Sequence, residues 1–197
     1  RFTFIMTLCL FGLCMVQSLP AQRHPKKKAK KSNRVELLHA DELRYDMYGP
    51  NPEAQILKGK VSFRHQGARL TCDSAYFYEA DNSMKAFGHV RFVQGDTLSL
   101  TAERADYDGQ EQMMRARKNV VLKHRRQTLL TDSLDYDRLY QTAYFYEGGT
   151  LIDGKDRLVA DWGEYNTETR QAVFYYHVKL RSCLLYTSPS PRDATLS

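Results

Sequence analysis

The chain has 197 residues, 42% of them hydrophobic and 26% charged, and a formal net charge of +6. That charge is unevenly placed: Arg1 contributes +1, the arm at 22–34 contributes +7 and the stretch from Arg181 onward +1, so the body at 35–180 carries −3. The positive charge therefore belongs to one tether, which excludes a basic nucleic-acid-binding face on the folded body. A single cysteine in that body, Cys72, excludes an intramolecular disulfide framework there and reads as a small core residue.

In chain order, residues 2–19 form an almost continuous apolar run behind one basic residue, followed by Ser18-Leu19-Pro20-Ala21. This is the pattern of a secretory signal peptide cut after Ala21, expected at 1–21. A transmembrane anchor is the alternative, and the run is short for a bilayer. Processing as a lipoprotein before Cys14 is disfavoured by the bulk of Leu13. Residues 22–34, with Arg23, Lys26, Lys27, Lys28, Lys30, Lys31 and Arg34, read as a solvated basic linker, or as a segment drawn to an anionic membrane or lipid phosphate.

From residue 35 two motifs alternate. The first appears as Leu38-His-Ala40-Asp41-Glu-Leu43-Arg-Tyr45 and Leu70-Thr-Cys72-Asp73-Ser-Ala75-Tyr-Phe77. It returns as Leu100-Thr-Ala102-Glu103-Arg-Ala105-Asp-Tyr107, Leu129-Leu-Thr131-Asp132-Ser-Leu134-Asp-Tyr136 and Leu158-Val-Ala160-Asp161-Trp-Gly163-Glu-Tyr165. Subtracting the residue numbers places the starts 32, 30, 29 and 29 residues apart. The second motif is Gly59-Lys-Val61-Ser-Phe63, Gly88-His-Val90-Arg-Phe92, Lys118-Asn-Val120-Val-Leu122, Gly148-Gly-Thr150-Leu-Ile152 and Tyr176-His-Val178-Lys-Leu180.

Inside each run the apolar period is two, as a half-buried strand requires. Within the first motif the phase slips: Leu100 and Ala102 share one parity, Ala105 and Tyr107 the other. A bulge or corner at that point keeps both halves facing inward. The recurrent acids Asp41, Asp73, Glu103, Asp132 and Asp161 sit at this corner and are expected to be structural, accepting backbone hydrogen bonds. Short turn signals at 79–83, 94–96, 108–110 and 153–155 predict antiparallel neighbours rather than the stacked coils of a parallel β-helix. The expected fold is all-β: about ten antiparallel strands, each bent near its middle, forming an open β-jelly-roll or folded trough over 35–180. Residues 181–197 break every pattern and read as a non-native tail, with the natural repeat continuing past Leu180.

These residues resemble the OstA-like (LptA-type) family of lipopolysaccharide-transport proteins. The likeness rests on Ala-Asp-x-Leu-x-Tyr-Asp at 40–46, Cys-Asp-Ser-Ala-Tyr at 72–76 and Phe-Gly-x-Val at 87–90, and it covers roughly 35–180. It implies a β-jelly-roll, exported to the periplasm, free there or associated with the outer membrane, that shields the acyl chains of lipid A during outer-membrane assembly. Lipopolysaccharide is then the expected partner, together with other jelly-roll transport proteins, or further copies of the chain, stacked edge to edge. Nucleic acid is not expected. The inward positions Val61, Phe63, Leu70, Val90, Phe92, Leu98, Leu100, Val120, Leu122, Leu129 and Leu158 are the candidate lipid-binding lining, and the same residues serve equally as ordinary core.

Chemistry finds little footing in the sequence. His24, His39, His65, His89, His124 and His177 are scattered and read as mostly outward. Ser74 and Ser133 follow acids with no base nearby, and the Gly-rich nonapeptides of calcium rolls do not occur. The expectation is a non-enzyme with no cofactor, metal or catalytic residue. Tyr76, Tyr78, Tyr144, Tyr146, Tyr175 and Tyr176 read as cross-strand pairs. The alternatives are a β-repeat surface scaffold or adhesin and, behind it, a carbohydrate-processing β-solenoid.

Overall fold

The computed structural model describes residues 33–181. The signal peptide expected at 1–21, most of the basic linker at 22–34, His24 and the tail beyond Arg181 lie outside the described residues. Within them the chain forms β1 (Glu36–His39), β2 (Glu42–Tyr45), β3 (Gln55–His65), β4 (Ala68–Tyr78), β5 (Ser83–Gln94), β6 (Leu98–Asp108) and β7 (Met113–His124). It continues through β8 (Gln127–Asp137), β9 (Thr142–Phe145), β10 (Gly149–Asp153), β11 (Asp156–Ala160), β12 (Trp162–Asn166), β13 (Ala172–Tyr175) and β14 (Lys179–Arg181).

All fourteen belong to one sheet, and every pairing is antiparallel. This rules out the stacked parallel coils of a β-solenoid. Four strands are interrupted at their bend: β1 and β2 pair successive parts of β3, and β9 and β10 pair successive parts of β8. β11 with β12, and β13 with β14, continue the same arrangement. The fourteen segments therefore make ten bent strands, as the repeat predicts.

The bend has a local cause. Between Phe87↔Arg104 and Val90↔Ala102, two residues of β5, Gly88 and His89, stand opposite the single Glu103 of β6. Both have positive φ, 73° and 43°. The same pair of left-handed residues recurs as Gly59-Lys60, Lys118-Asn119 and Tyr176-His177. The extra residue thus sits in the second motif, opposite the acid of the first. Its effect on parity differs between partners. The two corner residues leave β5 in phase, with Met84, Ala86, Val90 and Phe92 all buried. The facing β6 flips: Leu100 and Ala102 are buried, Glu103 and Arg104 are exposed, Ala105 and Tyr107 are buried again. Glycine opens the pair where the corner is tightest, since a Cβ on Gly59 or Gly88 would run into the Asp41 or Asp73 carboxylate.

Folding every strand at one level creates two layers from one sheet. The first contains 55–58, 74–78, 83–87, 104–108, 113–117 and 133–137 with β2, β9, β12 and β13. The second contains 61–65, 68–72, 90–94, 98–102, 120–124 and 127–131 with β1, β10, β11 and β14. They meet face to face, with Phe63 against Phe77 at a ring separation of 5.3 Å and Phe92 against Tyr136 at 6.3 Å. One apolar core fills the space between them.

Candidate functional site

Register turns the two inner faces into ordered rows. Nearest the bend, the first layer carries an alanine ladder, Ala75↔Ala86↔Ala105↔Ala116. Val61, Cys72, Val90, Ala102 and Val120 face it from the second layer, all buried. One step outward the residues enlarge. The second layer presents Phe63↔Leu70↔Phe92↔Leu100↔Leu122↔Leu129↔Leu151↔Leu158↔Leu180. The first layer answers with Phe77↔Met84↔Tyr107↔Met114↔Tyr136↔Ala143↔Tyr165 across β4 to β12, with β8 paired to β9 and β9 to β12. Small side chains lie where the layers converge and large ones where they diverge, so the cross-section is a wedge filled by buried side chains.

The third row, at the mouth, sets polar residues on either side of the buried Ala68 and Leu98. His65, Gln94, His124 and Gln127 of the second layer occupy it. Neutral His65 accepts at Nδ1 from the Tyr107 hydroxyl (2.7 Å), while its Nε2–H faces the Asn33 carbonyl (3.3 Å). Arg138, only 7% exposed, donates from Nε to Gln94 Oε1 (2.9 Å) and from Nη1 to the Tyr107 hydroxyl. Its guanidinium also lies over the Phe92 and Tyr107 rings, 5.7 and 5.9 Å from their centroids. Further along, His124 Nδ1 meets the Tyr165 hydroxyl (2.8 Å), which donates to Gln127 Oε1. The bonds of His65 to Tyr107, of Arg138 to Gln94, and of Tyr165 to His124 and Gln127 join one layer to the other, so the mouth is latched by hydrogen bonds.

Burial first and the Arg138 cation second push the His65 pKa below its ordinary value. Burial, then Arg125 and Arg170, do the same to His124. Burial raises Tyr107, Tyr136 and Tyr165. The Cys72 thiol is pushed up to about 11, chiefly by burial, which makes it a poor nucleophile.

Of the eleven positions singled out in the sequence, Val61, Phe63, Leu70, Val90, Phe92, Leu98, Leu100, Val120, Leu122 and Leu129 are buried between the layers. Leu158 is half-buried, near the last edge, where the leucine row emerges and Leu180 is 65% exposed. All eleven lie on the second layer. The opposite wall of Leu57, Ala75, Phe77, Met84, Ala86, Ala105, Tyr107, Met114, Leu134 and Tyr136 was not singled out, although it carries the same period of two beyond the corner. The interior is occupied by its own side chains: the gap bordered by Phe63, His65, Ala68, Leu70, Met84, Phe92 and Tyr107 measures about 10 Å³, room for one water at most.

Two sequence expectations change. His65 and His124 point inward and are buried, because they end the inward parity of β3 and β7 at the mouth. The corner acids are all exposed, and they bond mostly to side chains rather than backbone. Asp73 accepts from His89 Nδ1 (2.6 Å), and Asp161 from His177 Nδ1 (2.5 Å). Glu103 accepts from the Asn119 side chain, and Asp132 alone of the five accepts a backbone N–H on its side chain, that of Asn119 (3.0 Å). The second residue of the left-handed pair meets the facing acid through its side chain at His89 and His177, and through its backbone N–H at Asn119. Among the described residues no three His, Cys, Asp or Glu side chains group as metal ligands.

The fold is shared with a solved structure, LptH from Pseudomonas aeruginosa, described as the LptA homologous periplasmic component of the conserved lipopolysaccharide transport device. The two match with a TM-score of 0.51 over 64% of this chain and 90% of that one, at 15% sequence identity, which speaks for the fold alone. None of the curated proteins matches the chain. The model of the OstA-like protein family matches residues 32–186, most of the sequence, and the chain belongs to that family.

Proposed function

We propose that this chain is a periplasmic lipopolysaccharide-binding and transport protein that shields lipid A acyl chains between its two layers, without catalysis. The observation that carries the reading is the in-register apolar row from Phe63 to Leu180. Nine residues on adjacent strands, about 4.8 Å apart, make a rail on the order of 40 Å long. Each methylene moved from water onto such a surface gains about 0.8 kcal/mol. Family membership, the expected signal peptide and the likeness to LptH support the same reading. Because the interior is packed, a lipid enters only when the mouth latches release and the layers part. The edge strands at either end of the sheet suit stacking onto another jelly roll or a second copy, which would extend the rail.

The packed interior also favours a second reading, a β-scaffold that binds with its exterior. In-cell photocrosslinking separates the two, with a photoreactive residue at Phe92 or Val120 and the outward Arg91 as control. A lipopolysaccharide adduct from the inward sites alone is the expected result. A folded, exported protein that yields none from any inward site would leave the scaffold.

A further inference from the structure

Beside the His124–Tyr165 latch, the mouth widens into a recess of about 650 Å³ lined by Arg125, Arg126, Gln127, Asp153, Thr169 and Arg170. Its basic residues come from both layers. Arg125 and Arg126 form the turn between β7 and β8 on the second layer, and Arg170 lies in the turn between β12 and β13 on the first. Asp153 is the carboxylate lining the recess, and it is already engaged, by Arg126 Nε at 2.7 Å and Gln127 Nε2 at 3.0 Å. Three guanidiniums against one carboxylate leave the lining at +2. Glu168, in the same turn as Arg170, does not line it. Arg125 and Arg170 have no carboxylate partner among the described residues, yet both cations act on the same His124 ring beneath them. Like charges held together across a cleft are destabilising until an anion joins them, and phosphate oxygens suit the guanidinium fork.

We propose that this recess binds a phosphate group, the headgroup phosphate of an amphiphile whose acyl chains lie between the layers. The site rests on the interior reading above and adds the polar half of the ligand. An anion there bridges turns of opposite layers, so it holds the mouth at a set width while the apolar rail holds the chains.

The test uses the full chain purified from the periplasm, titrated calorimetrically with three probes: bisphosphorylated lipid A, the same lipid with both phosphates removed, and inorganic pyrophosphate. The variant is Arg125→Asn with Arg170→Asn. Both positions have positive φ, 55° and 61°, which Asn tolerates, so the turns persist. Arg91→Asn is the charge control, and equal melting temperatures confirm folding. The expected result is phosphorylated lipid bound at least about tenfold tighter than dephosphorylated lipid, a difference of about 1.4 kcal/mol. That advantage and its salt dependence disappear in the double variant and persist in the control. Pyrophosphate bound equally well, and lost with the arginines, upholds the anion site with free phosphate as its source. Equal binding of the two lipids by the parent chain overturns the site and leaves the interior reading intact. If neither lipid binds, the interior reading falls, and arginine-dependent pyrophosphate binding or its absence decides the recess separately.

Discussion

Substitution of the first residue of a bend tests whether the left-handed pair, rather than the acid opposite it, creates the fold line. Gly88 has φ +73°, and a Cβ there would collide with the Asp73 carboxylate that His89 holds. Placing alanine in this conformation costs about 1–2 kcal/mol. The lower entropy of the unfolded alanine chain returns about 0.4–1 kcal/mol, and displacement of Asp73 adds to the loss. Gly88→Ala is therefore expected to destabilise by about 1–2 kcal/mol, a fall in melting temperature of roughly 3–6 °C for a domain of this size. The reciprocal change is the control. Lys118 occupies the same corner position one repeat later with φ +65°. Lys118→Gly removes the strain at the price of extra unfolded entropy, for a net gain of about 0.5–1 kcal/mol. Urea unfolding of both variants measures the pair. A neutral Gly88→Ala together with a destabilising Lys118→Gly would refute the account of the bend.

Two further outcomes follow from the packing and the mouth. Leu122, 1% exposed in the middle of the leucine row, leaves a cavity when cut back, so Leu122→Ala should lower unfolding free energy by about 2–5 kcal/mol; a loss below about 1 kcal/mol would mean that the layers already part in solution. His65 and His124 have folded pKa values below the unfolded value, so their stabilisation is present above the ordinary histidine pKa and lost as pH falls through the folded values. Denaturant midpoints should drop between pH 7 and about pH 5, and His65→Gln with His124→Gln should flatten that drop. An unchanged slope in the double variant would place the pH sensitivity elsewhere. The exposed His89 and His177, raised by their bonds to Asp73 and Asp161, work in the opposite sense: their support is present below the ordinary pKa and fades as pH rises, and solvent screens it.

The sequence by itself determined the strand count, the antiparallel order and the level of the bend. Each of these depends on local pattern: a period of two within a strand, a turn between strands, and a phase slip repeated every thirty residues or so at Asp73, Glu103 and Asp132. It also picked out one wall of the interior, because Phe92, Leu100 and Leu122 are large and unmistakable. The facing wall was less legible, since Ala75, Ala86, Ala105 and Ala116 matter for their smallness, and smallness counts only against a neighbour brought close by the fold. Tertiary structure alone decided the mouth. Arg138 reaches Gln94, 44 residues away, and His124 reaches Tyr165, 41 residues away. No short-range pattern records such pairings, because they arise only when one sheet is folded onto itself. That folding buries His65 and His124 as latches and gathers Arg125, Arg126 and Arg170 from two layers around one recess.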